Sequence, residues 1–312
     1  MIDITLLGTA ALLPLPHRAL SAAILSCGRH AILFDCGEGT QTAARRAHVN
    51  LMRADMIALT HYHGDHIFGL PGLLQTLDVM GRKKPLYLTG PEGLRQALSP
   101  IFALAGVMGY ELKPMDLPME GLRLAALVPG WPETARLCAF GTRHRVPSQG
   151  YVFTLDRPGR FQPERARELG VPQRLWGRLQ SGETVWVGGG PVMPPQVMGP
   201  ARKGIKVVFS GDTAACSALE RAAEGADLLI ADATYGENEQ QELACQYGHM
   251  NFAQAGRLAQ SARVKRLWLT HYSQMIDRPE AYLDHARSGF PEAVCGQDGM
   301  SITLQFEEDH ER

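Results

Sequence analysis

Four side chains able to bind a metal ion fall within six positions, His61, His63, Asp65 and His66, in the stretch Thr60-His61-Tyr62-His63-Gly64-Asp65-His66. Imidazole nitrogens and a carboxylate together suit zinc, and manganese or iron accept the same donors. Residues 56–59 form an apolar run that reads as a buried strand, and 67–74 begin a helical pattern. Side chains at i and i+2 of an extended segment point the same way, so His61 and His63 share a direction. Asp65 and His66 approach the same spot from the helix start. A polar turn carrying a few surface histidines is the plainer alternative, and four donors in so short a stretch argue against it.

Other candidate donors stand at the ends of predicted strands. Strands over 206–209, 228–231 and 266–270 lead to Asp212, Asp232 and His271, so polar residues gather at one rim of stacked sheets. Asp212 can cap the next helix or bridge two ions, since one carboxylate has two oxygens. His144 lies between predicted strands at 136–142 and 151–155, and His249 precedes a helix running through 262. A lone histidine at a strand end is usually unremarkable, but a metal centre short of ligands gives His144 a use. The pattern also predicts a strand at 2–7, a hairpin of 21–25 and 30–34 around Gly28, and a strand at 122–128. Helices are expected at 41–48, from the metal turn to about 80, and at 92–104, with a strand at 84–89. The stretch Phe34-Asp35-Cys36-Gly37-Glu38-Gly39-Thr40 reads as a glycine-rich turn opening the first of these helices.

The chain has 312 residues, 45% hydrophobic and 20% charged, with a net charge of −1, so nothing in its overall balance announces a nucleic-acid partner. Its six cysteines contain no CxxC pair, which argues against a thiolate metal site or a disulfide framework. No apolar run approaches membrane-spanning length, so no membrane partner and a cytoplasmic location are expected. Between 157 and 203 the composition changes. Arg157, Arg160, Arg165, Arg167, Arg174, Arg178, Arg202 and Lys203 outnumber Glu164, Glu168 and Glu183, with glycine and proline frequent. Apolar residues there look too sparse to bury much surface. One domain over 1–312 with a flexible inserted arm at 157–203 is the expected organisation.

These residues resemble the metallo-β-lactamase superfamily and, within it, the ribonuclease Z family of tRNA 3′-processing endonucleases. The resemblance rests on FDCGEGTQ at 34–41, THYHGDHIFGLPGLL at 60–74, SGDT at 210–213, Gly248-His249 and LTH at 269–271. It implies an α+β fold, a four-layer αββα sandwich with a projecting exosite arm. It also implies two zinc ions, one held by His61, His63 and His144 and the other by Asp65, His66 and His271, with Asp212 bridging. Asp65 would also orient or deprotonate the attacking water. His249, partnered by Asp232, would assist departure of the ribose 3′ oxygen. The arm, with Arg160, Arg165, Arg167, Arg174 and Arg178, would grip the elbow of precursor tRNA through phosphates, in a homodimer where one subunit's arm serves the other's site. Asp232 stands where the family often has a glutamate, and Met275 where it usually has an arginine that would meet a phosphate. Two other functions compete: hydrolysis of a small phosphate or sulfate ester, such as a cyclic nucleotide or aryl sulfate, and RNA binding with weak catalysis. A small ester has no need of a basic arm, and seven ligand candidates argue against a weak catalyst.

Overall fold

A computed structural model of the chain describes residues 1–307. In chain order its strands are β1 (Ile2–Gly8), β2 (Ala22–Cys27), β3 (His30–Phe34), β4 (Ala54–Ala58), β5 (Leu86–Thr89), β6 (Leu112–Pro114), β7 (Leu122–Arg123), β8 (Ala135–Gly141), β9 (Gln149–Arg157), β10 (Val185–Val187), β11 (Gly190–Val192), β12 (Arg202–Phe209), β13 (Leu228–Asp232), β14 (Leu267–Thr270), β15 (Val294–Cys295) and β16 (Ser301–Leu304). They form two seven-stranded sheets, ordered β16-β1-β2-β3-β4-β5-β6 and β15-β14-β13-β12-β9-β8-β7, and a separate β10-β11 hairpin. In the first sheet β3, β4, β5 and β6 run parallel. In the second, β12, β13, β14 and β15 run parallel. Parallel strands finish at one edge, so the loops after β3, β4, β12, β13 and β14 emerge together.

Alternation along the strands explains the layers. Ala22, Ile24, Ala31, Leu33, Ile57 and Leu59 pack with Leu70, Leu73, Leu74, Leu77, Leu94 and Leu98 from the helices Leu70–Val79 and Leu94–Ala105. On the opposite parity Phe34 meets the rings of Phe209 and Tyr151 from the second sheet at 5.3 and 5.7 Å. The second sheet buries Val208, Leu229, Ala231, Leu267 and Leu269 against Leu219, Phe252, Ala255 and Leu258 of the helices Ser217–Ala223 and Phe252–Ser261. Both sheets are thus covered on both faces, which is why their strands are almost wholly apolar. The result is the four-layer αββα sandwich.

Three local expectations change. Residues 122–128 hold only the two-residue strand β7, followed by the helix Leu124–Leu127. Its sequence Leu-Ala-Ala-Leu consists of strong helix formers. The helix after the metal turn breaks into Gly64–Ile67 and Leu70–Val79, with Gly69 and Pro71 at the restart. The third change concerns the arm. Residues 155–205, with Phe306 and Glu307, make a compact unit of their own, distinct from the unit of 1–154 and 206–305. Ala166, Val171, Leu179, Val185, Val192 and Val197 are buried in it, with Phe161 and Trp176 packed against them. The apolar residues there are few, yet they converge on one small core.

Candidate metal centre and general acid

The loops at the common sheet edge bring His61, His63, Asp65, His66, His144, Asp212, His249, Asp232 and His271 into one cluster. His61 and His63 follow β4, and Asp65 and His66 open the helix Gly64–Ile67. Asp212 follows β12, Asp232 ends β13, His271 follows β14, and His144 comes from the β8–β9 loop. Two backbone features permit the approach. Gly211 has φ 59°, and a Cβ there would stand 2.7 Å from the Thr60 side chain, so the loop carrying Asp212 needs glycine. His271 itself adopts φ 61°, turning the chain sharply as it leaves β14.

The inward atoms fall into two groups. In one, His61 Nε2 lies 2.9 Å from His63 Nδ1, which lies 3.3 Å from His144 Nε2. In the other, His66 Nε2 is 3.3 Å from His271 Nε2, and Asp65 Oδ2 is 3.4 Å from that same nitrogen. Asp212 faces both, with Oδ2 3.6 Å from His61 Nε2 and 3.3 Å from His271 Nε2, and Oδ1 3.3 Å from His66 Nε2. Donors about 2.0–2.1 Å from a tetrahedral zinc stand about 3.3–3.4 Å apart, and these atoms, 2.9–3.6 Å from one another, scatter around that spacing.

Outer partners fix the rings. His66 Nδ1 is 2.8 Å from Asp35 Oδ2, His271 Nδ1 2.8 Å from Thr234 Oγ1, His144 Nδ1 2.9 Å from the Gly248 carbonyl, and His61 Nδ1 3.1 Å from Thr60 Oγ1. Each such contact holds the outer nitrogen and leaves Nε2 aimed inward, the arrangement metal-binding histidines use. Asp35 is wholly buried and also accepts from the Thr60 amide at 2.7 Å and its hydroxyl at 2.9 Å. It belongs among the functional residues, together with Thr60 and Thr234. Read in sequence, Asp35 looks like part of a glycine-rich turn. Its signal was its place at the end of a buried strand, the same place as Asp212 and Asp232.

The electrostatics suit a cation. Burial, then the neighbouring His66 ring, pushes the His61 imidazole well below its ordinary value, and burial lowers His63 and His144 too, so these rings stay neutral. Burial also opposes charge on His66, but the carboxylates of Asp212 and Asp35 outweigh it and favour positive charge there. Burial tends to raise Asp65 and Asp212, yet the surrounding imidazoles hold both carboxyls below the usual range. Neutral rings at His61, His63 and His144 and ionised carboxylates are the protonation states metal binding requires, whereas His66 would have to give up its inner proton to an ion bound there.

Beside this cluster His249 Nδ1 sits 2.8 Å from Asp232 Oδ2. The aspartate is shorter than the glutamate of the family pattern, and it reaches the ring all the same. Its other oxygen accepts from the Thr234 amide at 2.9 Å and hydroxyl at 2.7 Å. Burial works to lower the His249 ring, but Asp232 prevails and pushes it up to about 9. The ring is therefore protonated at neutral pH, and among the described residues its Nε2 has no protein partner. The five arm arginines, Arg160, Arg165, Arg167, Arg174 and Arg178, are all exposed in the second unit. Arg178 pairs with Glu183 at 2.7 Å, and Arg167 lies 3.6 Å from Glu164 and over the Trp176 ring.

Comparison with known proteins agrees with this geometry. The profile of the metallo-beta-lactamase superfamily matches residues 23–242. A ribonuclease Z of Lachnospira eligens is 39% identical over 309 residues, covering 99% of this chain and all of that protein. One of Agathobacter rectalis is 41% identical over 309 residues, with the same coverage. The crystal structure of human tRNase Z, short form, is 28% identical and superposes with a TM-score of 0.68 over 97% of this chain and all of that one. With two groups of candidate ligands that both face Asp212, a histidine–aspartate pair beside them and relatives matched end to end, the chain belongs to the ribonuclease Z family of the metallo-β-lactamase superfamily.

Proposed function

We propose that this protein is a zinc-dependent endoribonuclease that removes the 3′ trailer from precursor tRNA by hydrolysing one phosphodiester bond. The observation that carries this reading is the carboxylate of Asp212 facing both nitrogen groups, with the protonated His249 next to it. His61, His63, His144 and Asp212 would hold one zinc ion, and Asp65, His66, His271 and Asp212 the other. Such a pair supplies positive charge for both the attacking and the leaving oxygen of a phosphodiester.

The chain's own groups do the rest. Asp65 is ionised and faces the centre through Oδ2, placed to orient the attacking water and take its proton. His249 donates from Nε2 to the departing ribose 3′ oxygen, while Asp232 stabilises the imidazolium and fixes the ring. A ribose oxygen is a poor leaving group, so this proton matters most for RNA. The arm's exposed arginines would hold tRNA phosphates away from the scissile bond. A cytoplasmic homodimer, one subunit's arm serving the other's site, completes the reading.

The test sets 3′-extended precursor tRNA beside bis-p-nitrophenyl phosphate. Cleavage at one internal bond, releasing an intact trailer, supports the proposal. Hydrolysis of the aryl ester with the precursor left whole would make this a small-ester enzyme instead.

A further inference from the structure

His144 stands between two exposed arginines, Arg143 and Arg145. Facing it is the end of the helix Gln241–Tyr247, after which Gly248 turns with φ 75°. The two segments are pressed together. His144 Nδ1 lies 2.9 Å from the Gly248 carbonyl, and a Cβ on Gly248 would come within 2.7 Å of the His144 Cα. One residue after His144 and one before Gly248, the Arg145 guanidinium carbon sits 5.2 Å from the centre of the Tyr247 ring. Tyr247 is 39% exposed, and His249 follows it by two positions. Among the described residues no carboxylate pairs with Arg145. Arginine over an exposed aromatic ring is common on protein surfaces. What sets this pair apart is its attachment to two residues of the reaction centre and the lack of an anionic partner. Met275, four residues after His271, is 83% exposed and brings no charge to that loop.

We propose that Arg145, braced on Tyr247, binds the substrate phosphate next to the scissile one, and that it supplies the phosphate contact which Met275 cannot. The inference rests on the precursor-tRNA reading above. A planar guanidinium suits this place, since it can stack on the ring and still offer paired N–H groups to phosphate oxygens. A phosphate gripped one nucleotide from the scissile bond fixes the register of the chain and leaves proton transfer to others.

The test compares Arg145→Ala, Arg145→Lys, Tyr247→Phe, Tyr247→Ala and the double variant Arg145→Ala/Met275→Arg on both substrates in the full chain. For precursor tRNA, Arg145→Ala is expected to lower kcat/KM by roughly tenfold or more, mainly through KM, and to flatten the log-log salt slope by about one unit. Arg145→Lys recovers only part of the loss, Tyr247→Phe behaves as the parent, and Tyr247→Ala falls toward Arg145→Ala. Added Met275→Arg restores cleavage. Metal content and hydrolysis of bis-p-nitrophenyl phosphate stay unchanged throughout. Unaltered precursor cleavage and salt slope in Arg145→Ala would overturn the proposal. So would a parallel loss of metal and of aryl-ester hydrolysis, which would show Arg145 acting only through His144. A parent protein that never cleaves precursor tRNA refutes the functional reading itself, a different result from failure of the variant alone.

Discussion

The substitution Asp35→Asn tests how the outer ring of hydrogen bonds governs the centre. Asp35 has φ 56°, a left-handed backbone that asparagine tolerates as well as aspartate, so the change adds no strain. It accepts three hydrogen bonds, two from Thr60 and one from His66 Nδ1. Asparagine keeps one acceptor oxygen. If that oxygen stays with the Thr60 amide, the new NH2 faces the N–H of His66, and two donors meet. His66 then loses its bond or moves its proton to Nε2, the atom aimed at Asp212. A hydrogen bond to a charged group contributes about 1.5–3 kcal/mol, which is about 12- to 150-fold in affinity. That range overlaps the roughly 10- to 100-fold losses found when an outer partner of a metal ligand is removed. The assay is zinc affinity by competition with a chromophoric chelator, supported by hydrolysis of bis-p-nitrophenyl phosphate at fixed free zinc. The expected result is at least tenfold weaker binding of one ion, with the fold intact by circular dichroism. Zinc affinity equal to the parent's would mean that Asp35 does not set the tautomer of His66, and the reasoning fails.

Asp212→Ala should lose more than one ion's worth of metal by elemental analysis; full occupancy would refute the bridge. His249→Ala should slow cleavage of precursor tRNA roughly a hundredfold while sparing the aryl ester, whose leaving group needs no proton. Equal losses on both substrates would mean that the ring binds and does not protonate. Asp232→Glu inserts a methylene into a carboxylate already engaged by Thr213, Thr234 and His249, so slower precursor cleavage is expected, and a faster enzyme would show that the short side chain is limiting. Replacing residues 160–198 by a short glycine linker removes a core of six buried side chains separate from those under the two sheets. Aryl-ester hydrolysis and metal content should survive, and precursor binding should weaken by orders of magnitude with a shallower salt slope. Unchanged precursor cleavage at physiological salt would show that the arm is not an exosite.

Much of this arrangement was legible in the sequence, for a physical reason. Strands buried on both faces are almost unbroken apolar runs, so a polar residue at the end of one stands out, as at Asp212, Asp232 and His271. The contacts that orient those residues were hidden. Asp35 reaches His66 across 31 positions and Thr234 reaches His271 across 37, and neither separation leaves a local pattern. The arm's core was hidden for a similar reason. Ala166, Val171, Leu179, Val185, Val192 and Val197 follow no helical or strand period and meet only when the segment closes on itself. Residues 124–127 went astray because an apolar run that short reads equally well as strand or helix.

Burial divides the seven ligand candidates unevenly. His61, Asp65, His66, His271 and Asp212 are all enclosed, whereas His63 is exposed and His144 half-buried. On the two-zinc reading, solvent and chelators reach the ion beside His63 first. That ion would exchange with its surroundings more readily than the one between His66 and His271. On that reading metal would leave in a fixed order through a half-loaded species, and the more open half, not the whole centre, would follow the free zinc around the protein.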